Sequence, residues 1–154
     1  MPVMDVMTTR LVSVAPDDTA ADAIRRMVDA NVGSVVVLEG SSLAGIFTER
    51  DVLRLAAVGT DFAATRIGDV MTASPVTIGP DDDVLAASNV MGQRGVRHVP
   101  VAVGDQVLGI VGILDVVRVL LERAYQRHDD DAHATARDLL RTSEVPLSSP
   151  LEGA

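Results

Sequence analysis

Asp5-Val6-Met7-Thr8 recurs as Asp69-Val70-Met71-Thr72, and this recurrence decides the fold. The offset of 64 residues holds without a gap. Val12 aligns with Val76, Pro16-Asp17-Asp18 with Pro80-Asp81-Asp82, and Met27 with Met91. Further on, Gly45-Ile46 aligns with Gly109-Ile110 and Asp51-Val52 with Asp115-Val116. Val3–Gly59 set against Ile67–Arg123 gives 19 identities in 57 pairs, where ordinary residue frequencies give about one in fifteen by chance. Two copies are few for a solenoid, so a pseudo-twofold pair sharing one interface is expected.

Both copies read alike. Val12-Ser13-Val14 and Val76-Thr77-Ile78 are short β-branched stretches ending at a Pro-Asp-Asp turn, hence strands. Asp18 and Asp82 are the candidate helix N-caps, and helices follow over about 19–30 and 83–94. Ala20, Ala23, Ile24 and Met27 form the apolar stripe of the first. Ser34–Leu38 with Leu43–Phe47, and His98–Val103 with Val107–Val111, are strand pairs closed by Gly40-Ser41-Ser42 and Gly104-Asp105-Gln106. Second helices follow over about 49–57 and 113–124. Each repeat is therefore β-α-β-β-α, and the fold class is α/β (α+β). The run Val35-Val36-Val37-Leu38 predicts strands covered on both faces. The domain division is 1–62, 63–124, and a tail over 125–154 in which Ala132–Arg141 could be helical and Ser143–Ala154 flexible.

Composition narrows the function. Hydrophobic residues make up 47% and charged residues 23%, the balance of a globular chain. Aromatics are only 2%, so base-stacking nucleic-acid sites are disfavoured, and a formal net charge of -9 repels a phosphate backbone. Any anionic ligand needs a local cationic pocket. The absence of cysteine removes disulfides, thiolate zinc sites and cysteine nucleophiles. No apolar stretch reaches membrane-span length, and the opening Met1–Asp5 has no basic, apolar leader, so a cytoplasmic location is expected.

The chemistry concentrates in two stretches. In Gly45-Ile46-Phe47-Thr48-Glu49-Arg50-Asp51, Thr48 stands where strand gives way to helix and Asp51 lies in the first turn. A helix start offers free N–H groups to a phosphate, and a nearby carboxylate can accept from ribose hydroxyls. The same Thr-x-x-Asp spacing also makes a capping box that needs no ligand, and both readings stand. The second copy keeps Asp115 but has Gly112 in place of the hydroxyl. In Gly95-Val96-Arg97-His98-Val99-Pro100, Arg97 and His98 stand at a strand start, where a guanidinium fork and an imidazole can meet an anion. They could equally be a surface charge and a hydrogen-bonded loop residue. The first copy has Gly33-Ser34 there, with no cation.

His128-Asp129-Asp130-Asp131-Ala132-His133 reads as a solvated acidic run, because its histidines are five apart rather than the four that share a helical face. Met7, Met27, Met71 and Met91 read as core fillers. No triad, Walker loop or metal-hydrolase motif is present.

Residues 3–123 resemble the CBS-domain pair, or Bateman module. The resemblance rests on the two Asp-Val-Met-Thr starts, the Pro-Asp-Asp turns, Val-Arg-His-Val-Pro-Val, and Gly-Ile-Phe-Thr-Glu-Arg-Asp. The last matches the family's ribose-phosphate motif at every defined position. The resemblance implies a non-catalytic regulatory sensor binding AMP, ADP or ATP between the repeats, with no cofactor required. Carried over, a first site uses Thr48 and Asp51, with Pro75 and Val76 against the base and Arg97 and His98 toward phosphate. A second, weaker site uses Asp115, with Leu11 and Val12 against the base and Gly33 and Ser34 at the phosphate end. It also implies a homodimer and an unidentified protein partner in trans, without nucleic acid or membrane. A protein-interaction or dimerisation module with vestigial pockets is the alternative.

Overall fold

A computed structural model describes residues 1–126 of the chain, which divides into compact units Met1–Val116 and Val117–Ala154. In the first unit, a 3-10 turn at Val3–Asp5 leads to β1 (Ser13–Val14), α1 (Ala20–Ala30), β2 (Ser34–Glu39), β3 (Ser42–Thr48) and α2 (Glu49–Ala57). The second copy supplies α3 (Ile67–Val70), β4 (Thr72–Ala73), α4 (Val84–Arg94), β5 (His98–Val103), β6 (Gln106–Gly112) and α5 (Ile113–Tyr125). The described part of the second unit is the remainder of α5 and Gln126. The acidic run at 128–133, the helix over 132–141 and the flexible tail all lie outside the described residues.

The helices begin one residue later than the Pro-Asp-Asp turns suggest, and the caps shift with them. Thr19 caps α1 in a capping box with Asp22, and Asp83 caps α4 by accepting from Leu85 N–H at 2.8 Å. Asp18 and Asp82 instead close their own turns. Their carboxylates accept from Ala15 N–H at 2.8 Å and Gly79 N–H at 2.7 Å. A carboxylate three residues behind the turn it closes cannot also reach the helix's free N–H groups.

β2 and β3 pair antiparallel from Ser34↔Thr48, and β5 and β6 from His98↔Gly112. Both hairpins carry an irregularity at equivalent places, Val37/Leu38 and Val101/Ala102. The hairpins join through Ser42↔Gln106, which makes one sheet of order β1-β2-β3-β6-β5, with β4 on β3. Ser34 through Val37 are all buried, as expected of a strand covered on both faces.

β1 lies parallel to β2, and Val36 N–H reaches Val12 C=O at 3.1 Å. The expected strand at Val76-Thr77-Ile78 does not form fully and survives as a parallel bridge, Ile78↔Val101. The residue equivalent to Val36 is Pro100, which has no N–H to give to Val76.

The sequence pattern did not reveal how the repeats interlock. β4 leads the second repeat yet pairs with β3 of the first, through Gly45↔Ala73 and Ile46↔Thr72. Reciprocally, Thr8 bridges Ile110, with N–H to C=O distances of 2.9 and 3.0 Å. A Cβ at Gly45 would lie 2.5 Å from Met71 Sδ and 2.8 Å from the Thr72 carbonyl; at Gly109 it would lie 2.7 Å from Met7 Sδ and 2.8 Å from the Thr8 carbonyl. Both glycines therefore exist for the approach of chain, not ligand. Met27 and Met91 are buried core fillers, while Met7 and Met71 are half-buried over these glycines. Ile67, also from the second repeat, is buried with Val14, Ala20, Ala23, Met27, Val35, Val37 and Phe47 of the first. Each large side chain fully buried this way contributes about 1.5–3 kcal/mol.

Candidate functional site

β3 ends and α2 begins at Thr48, whose backbone is extended (φ -126°, ψ 164°), and two first-turn N–H groups are already engaged, Glu49 N–H by Gly33 C=O at 3.0 Å and Asp51 N–H by the Thr48 hydroxyl. The local geometry is a complete capping box. Asp51 Oδ2 accepts from Thr48 N–H at 2.9 Å and from Thr48 Oγ1 at 3.1 Å, and Thr48 Oγ1 accepts from Asp51 N–H at 3.4 Å. Arg54 Nη2 donates to Asp51 Oδ1 at 2.8 Å. The side chain of Asp51 is 11% exposed and that of Arg54 is 70% exposed. A carboxylate has about four lone-pair sites, and these contacts use three. The buried carboxylate is fixed by the cap, while its arginine partner is largely exposed.

The opposite wall comes from the second repeat. β4 places Thr72 beside Ile46, and the chain then turns through Ser74, a non-glycine residue at φ 46°, into Pro75 and Val76. α4 ends at Gly95 in the left-handed region (φ 64°), which carries the chain into Val96, Arg97 and β5. Arg50 Nη1 ties the two walls by donating to Gly95 C=O at 3.0 Å.

Between them lies a cavity of about 730 Å³. Thr48 and Asp51 of the first repeat line it together with Pro75, Val76, Arg97 and His98 of the second, so all six residues singled out for the first site meet there. Sequence reasoning missed Arg50, Arg54 and Arg94, which also line it. A signal was present, because Arg50 and Arg54 share a helix with Asp51, and Arg94 and Arg97 bracket the turn at Gly95. Four arginines stand against the carboxylates of Glu49 and Asp51, so the cavity is cationic within a chain of net charge -9.

His98 faces both copies. It pairs across the sheet with Gly112, whereas its counterpart Ser34 pairs with Thr48. A Cβ at Gly112 would lie 3.5 Å from His98 Cδ2 and from Asp115 Oδ2, and one at Gly33 would lie 3.3 Å from His98 Cε1 and from Glu49 Oε1. The two glycines leave room for the imidazole. Burial lowers the pKa of His98 below its usual 6.5; the Glu49 carboxylate opposes this, Arg97 adds to it, and Asp115 opposes it. Of the residues expected at the second site, Gly33 lies beside the His98 ring and Asp115 acts on it electrostatically. Asp115 Oδ2 accepts from Gly112 N–H at 2.8 Å, and Ser34 is buried. Leu11 and Val12 precede β1, and Val12 packs against the first repeat's core. Among the described residues no cluster of metal-ligating side chains occurs, and no helix is long and apolar enough to cross a membrane.

Comparison with known proteins agrees with this architecture. The family model "CBS domain" matches residues 3–58 and 67–122. The CBS domain-containing protein CBSX3, mitochondrial, of Arabidopsis thaliana is 41% identical over 111 residues, 68% of this chain and 54% of its own length. The chain therefore spans about half of that relative. A putative signal-transduction protein with CBS domains from Burkholderia ambifaria superimposes with TM-score 0.71 at 28% identity, over 77% of this chain and 90% of that one. The crystal structure of CBSX2 in complex with AMP does so with TM-score 0.68 at 25% identity, over 80% and 98% of the two chains. Two interlocked β-α-β-β repeats closed by a further helix, matched twice by one family model, place this chain in the CBS domain family as a tandem pair.

Proposed function

We propose that the chain is a non-catalytic regulatory sensor that binds an adenine nucleotide in the cavity between its repeats. The observation that carries this reading is the meeting of Thr48 and Asp51 with Pro75, Val76, Arg97 and His98 in one cationic cavity of nucleotide size. Arg97 suits a phosphate, Asp51 suits ribose hydroxyls, and Pro75 and Val76 offer an apolar edge to a base. The complex of CBSX2 with AMP supports the ligand class. On this reading the repeats occupy 1–62 and 63–124, with the remainder 125–154 apart. Such a ligand touches both repeats and so favours whichever relative packing it contacts better. The cytoplasmic location remains part of the proposal, as does a protein partner in trans. A homodimer is proposed on the resemblance; sedimentation equilibrium tests it.

One observation favours the alternative of an interaction module. The cap and Arg54 already engage both oxygens of Asp51. The discriminating experiment is thermal denaturation with AMP, ADP and ATP at millimolar concentration, in wild type and Asp51→Ala. A ligand at a hundred times its Kd stabilises by about 2.7 kcal/mol, several degrees for a domain of this size. A ligand-induced shift that Asp51→Ala abolishes supports the sensor. The absence of any shift in wild type supports the interaction module, leaving Asp51 a cap alone.

A further inference from the structure

Three arginines converge on one corner of the cavity. Arg94 closes α4, Arg97 immediately precedes β5, and Arg50 reaches over from α2 to the Gly95 carbonyl between them. The left-handed turn at Gly95 carries the chain from Arg94 to Arg97, and all three arginines line the cavity. None of them meets a carboxylate at ion-pair distance among the described residues; of the cavity's four arginines, Arg54 alone does. In a chain with 22 acidic residues against 13 basic ones, carboxylate partners are plentiful. Glu49 lines the same cavity, yet its Oε1 lies beside Gly33, 3.3 Å from where a Cβ would stand. Like charges in excess of the cavity's two carboxylates repel one another, and a mobile anion removes that cost when it enters.

One phosphate does not use this corner fully. One guanidinium fork engages two of a monophosphate's three oxygens and leaves a single oxygen for any further donor. Two cations are then left over. We propose that the corner is built for a polyphosphate, so that the site selects adenosine di- or triphosphate over the monophosphate and over adenosine compounds without phosphate. Arg97 takes the phosphate nearest the ribose, and Arg94 and Arg50 take the outer ones. This rests on the nucleotide reading above and specifies its ligand.

The test is isothermal titration of the full chain with adenosine, S-adenosylmethionine, AMP, ADP and ATP, in EDTA so that no divalent ion masks ligand charge. ATP is expected to bind at least tenfold more tightly than AMP, with ADP between them. Its affinity should also fall more steeply with added salt, because more charge is neutralised. Arg94→Ala and Arg94→Gln should each reduce the ATP-to-AMP affinity ratio threefold or more. Arg94 is exposed, so its loss leaves the fold intact. Equal affinity for AMP and ATP, or variants that weaken AMP as much as ATP, would overturn the polyphosphate assignment and leave the sensor reading standing. If none of the five binds, the sensor reading fails and this assignment fails with it.

Discussion

At the scale of single residues, His98 is where chemistry and packing compete. Its imidazole lines the cavity, stands opposite Gly112 in the sheet, and is held below its ordinary pKa chiefly by burial. Glu49 and Asp115 pull the other way, and Arg97 pushes in the same direction as burial. The folded protein therefore favours neutral His98 more than the unfolded chain does. Its contribution to stability is complete above the unfolded pKa of about 6.5 and is lost as pH falls through the lower folded value. A bound phosphate reverses the preference, because an anion beside the ring favours imidazolium. Nucleotide binding should then take up a proton, and affinity should rise as pH is lowered from 7.5 toward 5.5. Phosphate itself titrates near pH 6, so the readout is the difference between wild type and His98→Gln, measured in buffers of different ionisation enthalpy. Identical proton uptake by both proteins would show that His98 stays neutral in the complex.

At the scale of elements, the mutual pairing of leaders and hairpins makes one body of two repeats. β4 and Ile67 of the second repeat complete the sheet and core of the first, and Thr8 does the reciprocal pairing. Gly45 controls this seam. An added methyl could displace the flexible Met71 side chain, but not the Thr72 carbonyl 2.8 Å away, which is held in the β4 pairing. Gly45→Ala should destabilise by roughly 1–3 kcal/mol, as overpacking does, and lower the melting temperature by several degrees. The equivalent Gly109→Ala should behave alike, since it meets the Thr8 carbonyl at the same distance. Unchanged melting temperatures in both would show that the seam adjusts freely. This is also where the sequence was hardest to read. The hairpins and long helices were legible, because alternation, helical stripes and glycine turns are local signals. A two-residue strand pairing across repeats carries no periodicity, and a proline's missing N–H matters only once its partner carbonyl is known. The site was legible for a similar reason. Thr48, Asp51, Arg97 and His98 belong to short motifs, whereas Arg50, Arg54 and Arg94 carried only the weaker signal of lying near them in sequence.

At the scale of the whole chain, the two halves of a doubled backbone are not equivalent, and the proposed second site differs from the first. The sheet register is the same in both halves, with Ser34↔Thr48 in one and His98↔Gly112 in the other. The side chains on that register are not the same. Arg97 has Gly33 as its counterpart, and beside Gly33 stands Glu49 Oε1. At the phosphate end of the proposed second site, a missing cation would combine with a nearby carboxylate, a pairing that repels phosphate. Gly112 for Thr48 removes a hydroxyl as well, but this is the smaller loss, because Asp115 still accepts from the Gly112 N–H. Titration with ATP should therefore give one bound nucleotide per chain at micromolar ligand. Gly112→Thr, which restores the hydroxyl without restoring charge, should leave that stoichiometry at one. Glu49→Gln in the Gly112→Thr background removes the repulsion and should reveal a second, weaker binding event. Two equal sites in wild type would mean that the cation at the strand start does not decide occupancy.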